Sequence, residues 1–103
     1  MINALKKLFS IAPSPDFKTL IKDGAIILDV RSENEFSTGH INSAINIPVD
    51  RLSDSLQHLT VGKAIITCCA SGIRSATARR ILLAKGFTDV YDGGAWSILK
   101  LKI

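Results

Sequence analysis

Three short, mostly apolar runs limit the folds that this chain can adopt. They are AIILDV (25–30), AINIP (44–48) and KAIITC (63–68). Each run is short and lacks the strict alternation of a strand with one wet face, so each indicates a strand buried on both faces. A fourth short strand followed by a turn is expected at DVYDGG (89–94).

A helix is predicted before the first strand, in SPDFKTLIKDG (14–24). Ser14 suits the N-cap, and Pro15 suits the first helical position because its missing N–H would be unpaired there anyway. Gly24 suits the residue just past the helix end. The next segment, SENEFSTG (32–39), carries its own start and stop signals.

That second helix is predicted from a capping box. Ser32 precedes Glu35 by three residues, the spacing at which each side chain bonds the other residue's backbone N–H. Gly39 is expected to end this helix. The segment is therefore predicted to form a short helix.

Two later segments have apolar residues at helical spacing, and a third closes the chain. DRLSDSLQHL (50–59) and SATARRILLAKG (75–86) are predicted helices, the latter stopped by Gly86, and AWSILKLKI (95–103) is expected to form one or two helical turns. Periodicity of about 3.6 residues places one face of each helix against the core. The residues expected to face inward are Leu52, Leu56 and Leu59 in the first, and Ala78, Ile81 and Leu82 in the second.

Strands that alternate with helices predict an α/β fold: a mostly parallel sheet with helices on both faces. The 103 residues suit one domain, which we assign to residues 14–103, with residues 1–13 as a lead-in segment. Ligands of such sheets bind beyond the carboxyl ends of the strands. Cys68 and Cys69 lie at that end of the third predicted strand.

The charge of the chain favours a small anionic partner over nucleic acid. The formal net charge is +4, and the 13 Lys and Arg residues are scattered along the sequence. No basic stripe with interleaved aromatic residues is present, so nucleic-acid binding is not predicted. No apolar run reaches the ~18 residues of a membrane span, so stable membrane insertion is not predicted either.

The cysteines and histidines predict neither a disulfide framework nor a metal site. Two adjacent cysteines bond to each other only with strain. His40 and His58 are far from each other and from the cysteines, so no metal-ligand spacing exists. Free thiols of this kind favour a reducing, cytoplasmic setting, and no cofactor is predicted.

The stretch TCCASGIRSA (67–76) is the strongest candidate for chemistry. Small residues and Gly72 after the cysteines allow successive backbone N–H groups to converge on one point, and a helix predicted to start near Ser75 adds its own free N–H groups. A thiol held there is shifted toward thiolate, the nucleophilic form. We expect that thiol to be Cys69, the first loop residue, while Cys68 packs in the sheet as an inert apolar side chain.

Three motifs in order resemble the rhodanese (sulfurtransferase) domain. The first is LDVRSENEFSTGHINSAINIP (28–48), and the last is VYDGGAWSILK (90–100), which resembles the Gly-Gly turn and closing helix of the family. Between them lies the active-site pattern Cys-x-Ser-Gly-x-Arg-Ser. It is met here by Cys69, Ser71, Gly72, Arg74 and Ser75. The resemblance covers about residues 14–100 and implies a doubly wound, mostly parallel, five-stranded sheet with helices on both faces.

The resemblance also implies a two-step sulfur transfer without a metal or organic cofactor. The Cys69 thiolate takes sulfur from a donor such as thiosulfate and becomes a persulfide. Cyanide in an assay, or a thiol or carrier protein in the cell, then accepts that sulfur. The residues expected to bind the substrate are Ala70, Ser71, Gly72, Ile73 and Arg74, and those expected to support the site are Ser75, Asp29, Arg31, Glu35 and His40.

The supporting residues admit more than one role at this point. Asp29 and Arg31, at the end of the first strand, can pair with each other, with Arg74 or with Glu35. They either hold the loop or contact the substrate. His40 is interpreted as a residue that stabilises a turn, with a general acid as the alternative.

Two rival functions remain open from the sequence. Counted from Cys68, CCASGIR fits the Cys-x5-Arg spacing of phosphatases and arsenate reductases, although Gly72 and Thr67 depart from the usual phosphatase loop. The second rival is a sulfur-carrier or binding module with little turnover. The presence of the cysteine, arginine and serine of the loop favours catalysis.

Overall fold

The computed structural model describes residues 15–103 as an α/β unit built on a parallel sheet. The strands are β1 (Ile26–Asp29), β2 (Ile45–Asn46), β3 (Ile65–Cys69) and β4 (Val90–Ala95). They are all parallel and lie in the order β2-β1-β3-β4. The predicted lead-in segment 1–13 and the predicted cap Ser14 lie outside the described residues.

Within residues 15–103, four helices and three 3₁₀ segments connect and flank these strands. The helices are α1 (Phe17–Lys22), α2 (Glu33–Thr38), α3 (Ile73–Ala84) and α4 (Trp96–Leu99). The 3₁₀ segments are Val49–Asp54, Leu56–His58 and Lys100–Lys102. The predicted alternation of strands and helices is confirmed, but residues 15–103 form four strands rather than the five that the family resemblance implies.

The sheet separates two apolar cores, which confirms helices on both faces. One core joins β1 and β3 to α3 and the first two 3₁₀ segments, through Leu28, Ile65, Leu52, Leu59, Ala78 and Leu82 among others. The other joins the opposite face of the sheet to α1 and α4, through Ile27, Ile66, Phe17 and Leu99. All five residues of β3 are buried, as the unbroken apolar run predicts for a central parallel strand.

The predicted helix at 50–59 is wrong. The chain instead forms two 3₁₀ segments divided at Ser55, whose backbone angles of φ −126° and ψ 22° are not helical. Serine side chains compete with helical hydrogen bonding, and this segment contains Ser53 as well as Ser55. The apolar spacing still has its expected effect, because Leu52 and Leu59 are buried and Leu56 packs beside them.

The first helix starts later than predicted. Asp16 caps α1, and its carboxylate accepts hydrogen bonds from the Thr19 N–H at 3.2 Å and the Thr19 hydroxyl at 2.7 Å. Pro15 therefore precedes the helix instead of occupying its first turn. Gly24 follows the helix end with a left-handed φ of +100°, as predicted.

The capping box of the second helix is confirmed. The Ser32 hydroxyl accepts from the Glu35 N–H at 3.2 Å, and the Glu35 carboxylate accepts from the Ser32 N–H at 3.0 Å. Gly39 is the C-cap of α2. This double contact holds Glu35 at the start of α2, at the edge of the sheet where β1 ends.

We predict that Gly93→Ala destabilises the fold by about 2–3 kcal/mol, because overpacking a filled core forces neighbours to move. A Cβ on Gly93 would lie 2.7 Å from the Thr67 carbonyl oxygen and 2.9 Å from side-chain carbons of Ile66 and Leu99. Urea denaturation gives the free energy of unfolding. Gly24→Ala is the control for backbone strain alone, since nothing lies within 4 Å of its Cβ, and it should cost about 1 kcal/mol. Equal losses in the two variants would contradict the predicted overlap.

Candidate active site

The two neighbouring cysteines end β3 and point to opposite faces of the sheet, as consecutive strand residues do. Cys68 packs with the core that contains Phe17 and Leu99, whereas Cys69 packs with the core that contains Ala78 and Leu82. Both residues are buried. Cys69 is the last residue of the strand and not the first of the loop, because a register shift after Thr67 lets it pair with Ala95 of β4.

The environment of Cys68 opposes ionisation. Burial, followed by the nearby Asp29 carboxylate, raises the pKa of this thiol to about 12, although the Arg31 guanidinium acts in the other direction. An apolar setting of this kind keeps a thiol protonated and unreactive at neutral pH. Cys68 has the packed position that was expected for it.

The sulfur of Cys69 lies in a cradle of hydrogen-bond donors. The Gly72 N–H donates to Sγ at 3.0 Å, and the Ser75 N–H donates at 3.3 Å. Gly72 reaches this position with a left-handed φ of +106°, which glycine adopts without strain. Burial alone would raise the pKa of the thiol, but the Ser75 hydroxyl and the N–H groups of Ser75, Gly72 and Ser71 outweigh it, and the net pKa is lowered.

This cradle differs in part from the expected one. Of the five expected residues from Ala70 to Arg74, only Gly72 donates a backbone hydrogen bond to Sγ, with the Ser71 N–H close enough to lower the thiol pKa. The second backbone donor is Ser75, expected only to support the site. Helix α3 begins at Ile73, two residues before the predicted start, so Arg74 and Ser75 lie in its first turn. The free N–H groups of that turn carry partial positive charge, which favours a thiolate.

Ser75 links the cradle to a residue that sequence reasoning missed. Its hydroxyl lies 2.9 Å from the Gly72 carbonyl oxygen and 2.7 Å from Oδ1 of Asp92. Asp92 also accepts the Gly94 N–H at 2.9 Å. The sequence feature that could have identified Asp92 was an aspartate in the strand predicted just before the Gly-Gly turn. That strand borders β3, so its polar residues lie near the loop that follows Cys69, residues 70–74, here called the cysteine loop.

Arg74 and Glu35 form a two-pronged ion pair across the site. Arg74 Nη1 and Nη2 lie 2.7 Å and 2.9 Å from Oε1 and Oε2 of Glu35. The hydrogen bonds from Arg74, followed by the Ser32 N–H, lower the pKa of Glu35 from its ordinary 4.5 to about 2. Because Glu35 also caps α2, the pair joins the starts of α2 and α3 on either side of the cysteine loop.

Asp29 and Arg31 pair with each other, which is one of the pairings that the sequence left open. Arg31 Nη2 and Nε lie 2.6 Å and 2.9 Å from the two oxygens of the Asp29 carboxylate, and both residues are buried. Arg31 also donates to the Gly39 carbonyl at 2.8 Å. Its guanidinium stacks over Trp96, 4.6 Å from the ring centre, so a closing-helix residue absent from the predicted set completes this packing.

His40 is exposed and engaged locally. Its Nδ1 hydrogen-bonds to the Phe36 carbonyl oxygen at 2.7 Å, and its ring stacks on the Phe36 ring with centres 3.7 Å apart. These contacts fit the interpretation of His40 as a residue that stabilises the turn after α2. Neither of these contacts involves Cys69.

Residues 15–103 contain neither a metal-binding cluster nor a membrane-spanning helix. No three His, Cys, Asp or Glu side chains in this part of the chain are grouped so that they can hold a metal ion. None of the helices between residues 15 and 103 has the length and apolarity to cross a bilayer. The absence of a metal and of stable membrane insertion both stay predictions from the sequence.

We predict that Glu35→Gln destabilises the fold at neutral pH and less so in acid. A carboxyl group with a lowered folded-state pKa contributes stability above its unfolded value, near 4.5, and that contribution is lost as the pH falls toward about 2. The difference in unfolding free energy between wild type and variant should therefore shrink over this interval, as followed by urea denaturation at several pH values. Glu33→Gln is the control, since Glu33 is more exposed and shares no partner with the cysteine loop. A difference that stays constant with pH would show that the Arg74 pair does not stabilise the fold.

Comparisons with known proteins agree with this geometry. The family model of the rhodanese-like domain matches residues 14–97. A thiosulfate sulfurtransferase GlpE of Pseudomonas syringae is 30% identical over 88 residues, which is 84% of this chain and 83% of that protein. The GlpE of Shewanella oneidensis is 36% identical over 74 residues, 68% of this chain and 73% of that protein.

A solved structure shows the same fold. The human single-domain sulfurtransferase TSTD1 superposes with a TM-score of 0.72 at 28% identity, covering 84% of this chain and 94% of the human one. The three sequence motifs, the parallel sheet and the cysteine cradle thus agree with the family match. This chain belongs to the rhodanese-like domain family.

Proposed function

We propose that this protein is a sulfurtransferase that moves sulfane sulfur from a donor such as thiosulfate to a thiophilic acceptor through a persulfide on Cys69. The observation that carries the proposal is the pair of backbone N–H groups, from Gly72 and Ser75, that donate to the Cys69 sulfur. Two relatives of this chain are thiosulfate sulfurtransferases, which supports the same reaction class. The chemistry needs no cofactor.

The first step is attack of the Cys69 thiolate on the sulfane sulfur of the donor. With thiosulfate, the new bond joins Cys69 Sγ to that sulfur, the S–S bond of thiosulfate breaks, and its electron pair leaves with sulfite. Charge is conserved, because thiolate and thiosulfate become persulfide anion and sulfite. The lowered pKa of Cys69 raises the thiolate fraction available for this step at neutral pH.

The second step returns the enzyme to its starting state. An acceptor such as cyanide attacks the terminal persulfide sulfur, and the Cys69 thiolate leaves. The terminal sulfur carries the negative charge between the two steps, and we expect the loop from Ala70 to Arg74, including Ser71 and Ile73, to bind it. Donors that stabilise a thiolate also stabilise this anion, so the cradle serves both forms. In the cell, a thiol or a sulfur-acceptor protein takes the place of cyanide.

The position of Cys68 argues against the phosphatase or arsenate reductase alternative. That alternative needs Cys68 as the nucleophile, with five residues between it and Arg74. Its side chain instead lies in the apolar core on the far side of the sheet, with a pKa of about 12. A cysteine in that state supplies almost no thiolate at neutral pH.

A reducing compartment suits this reaction, and we propose the cytoplasm. Both cysteines are free thiols. A persulfide cycle needs the Cys69 thiol between turnovers, and an oxidising compartment would compete for it. Nucleic acid has no part in the proposed reaction.

We predict that iodoacetamide alkylates Cys69 and spares Cys68 in the folded protein. The rate at Cys69 should follow a titration curve with its midpoint below the ordinary thiol pKa of 9.0, because the cradle lowers the pKa of Cys69. Modification of Cys68 should stay negligible below pH 10 because of its raised pKa. Digestion and mass spectrometry at each pH give both rates, and unfolded protein in urea is the control in which both thiols react. Faster modification of Cys68 than of Cys69 in the folded state would contradict the assignment.

We predict that the persulfide forms on Cys69 alone. After treatment with thiosulfate, the Cys68→Ser protein should gain the mass of one sulfur atom on Cys69, and the Cys69→Ser protein should gain none. The two variants are matched controls, since both remove one buried thiol from the same strand. If the added sulfur persists in Cys69→Ser and vanishes in Cys68→Ser, the nucleophile is Cys68, and assays with phosphate esters and arsenate become the decisive ones.

A further inference from the structure

The Ser75 hydroxyl has more acceptors within reach than hydrogens to donate. A serine hydroxyl carries one hydrogen. Its oxygen lies 2.7 Å from Oδ1 of Asp92 and 2.9 Å from the Gly72 carbonyl oxygen. The backbone N–H of the same serine donates to the Cys69 sulfur at 3.3 Å, and the hydroxyl lies close enough to act on that thiol. The Cys69 thiolate is thus a third acceptor that competes for the same hydrogen.

Charge and distance favour Asp92 in this competition. A hydrogen bond to an ionised acceptor is shorter and stronger than one to a neutral acceptor. The contact with the Asp92 carboxylate, at 2.7 Å, is accordingly shorter than the contact with the Gly72 carbonyl. To donate to the Cys69 sulfur, the hydroxyl must give up its bond to Asp92.

A second hydrogen bond holds Asp92 in place as the acceptor. The Gly94 N–H donates to the same Oδ1 atom at 2.9 Å. Gly94 also lies near the cysteine loop, since a Cβ on Gly72 would be 3.8 Å from the Gly94 Cα atom. A carboxylate oxygen has lone pairs for both bonds. The Gly94 bond therefore keeps Oδ1 beside the Ser75 hydroxyl.

Two arginines of α3 are bonded to other partners. Arg74 bonds Glu35 through both of its terminal nitrogens, and Arg79 donates from Nε to the Val90 carbonyl oxygen at 2.9 Å. Arg79 also lines one cleft together with Asp92 and keeps its positive charge there. Because that charge opposes the charge of the carboxylate, a test must separate the hydrogen bond of Asp92 from its charge.

We propose that Asp92 is a positioning residue that competes with the Cys69 thiolate for the one hydrogen of the Ser75 hydroxyl and so keeps the sulfur strongly nucleophilic. This inference rests on the proposed function. A thiolate that gains a further donor is more stable, but its intrinsic nucleophilicity falls as its pKa falls. Asp92 thus limits how far the cradle stabilises the thiolate, and the sulfur retains its reactivity for the attack on the donor.

Removal of the acceptor should move the pH profile of Cys69 alkylation in two ways. In Asp92→Ala, the hydroxyl is free to turn to the thiolate, which it prefers to the neutral Gly72 carbonyl. The midpoint of the iodoacetamide rate against pH should fall by about one unit, roughly the worth of one hydrogen bond to a charged group. The rate at the high-pH plateau should fall about three-fold, because nucleophilicity follows thiol pKa with a slope of about 0.4–0.5. Digestion and mass spectrometry at each pH give both values.

Asp92→Asn is the milder variant, which keeps an oxygen for the Gly94 N–H. An uncharged oxygen competes less well for the Ser75 hydrogen than a carboxylate does. The midpoint should therefore lie between the wild-type and Asp92→Ala values. A merely structural role gives the opposite sign, since a loosened cradle donates less to the sulfur and raises the midpoint. A raised or unchanged midpoint in Asp92→Asn would overturn the proposal.

A Ser75→Ala background separates the hydrogen bond from the charge. It removes the hydroxyl but keeps the backbone N–H that contacts Cys69. In this background, both Asp92 variants should leave the midpoint unchanged. An equal fall with and without the hydroxyl would show that the carboxylate acts through its charge, and the proposed competition would be wrong. Alkylation needs no sulfur donor, so a failure of thiosulfate to add sulfur to Cys69 would contradict the proposed function and leave this result standing.

Discussion

β3 is buried on both faces, and this burial sets the surroundings of both cysteines. A strand covered on both sides sends consecutive side chains into two separate cores, so Cys68 and Cys69 enter different environments although they are neighbours in the chain. Cys68 meets an apolar core and a carboxylate, which keep its thiol protonated. Cys69 meets the start of α3 and the cysteine loop, which favour a thiolate.

Charges around the cradle are arranged in pairs that hold its parts together. The Arg74–Glu35 pair joins α3 to α2, and the buried Asp29–Arg31 pair fastens the end of β1 to the carbonyl of Gly39. Removing one partner of a buried pair leaves an uncompensated charge, so the Asp29–Arg31 pair is a strong structural constraint on this edge of the sheet. Arg74 and Arg31 are each paired with a carboxylate. Stabilisation of an anion at Cys69 therefore depends on backbone N–H groups. Backbone donors are well suited to that task, because the fold holds them in place before any ligand arrives.

Much of the fold could be predicted from local patterns. The four strands, the capping box of Ser32 and Glu35, and the stops at Gly24 and Gly86 each depend on residues close together in the chain. The wrong predictions have a common physical origin. Two 3₁₀ segments bury the apolar residues of 50–59 as well as one helix would, so their spacing does not distinguish the two structures. The start of α3 depends on the backbone conformation of Gly72, which the pattern of side chains does not specify.

The parallel α/β architecture, the family resemblance and the expectation that Cys69 is the nucleophile all follow from local patterns, because apolar runs, caps and motif spacing are properties of short stretches of chain. Tertiary structure alone decided which partners meet at the site. Glu35 reaches Arg74 across 39 positions, and Asp92 reaches Ser75 across 17. Both contacts exist because the parallel sheet brings together strand ends that are distant in sequence. Charge neutralisation at the cysteine loop is therefore a property of the folded sheet, since no spacing rule along the chain specifies which carboxylate an arginine will meet.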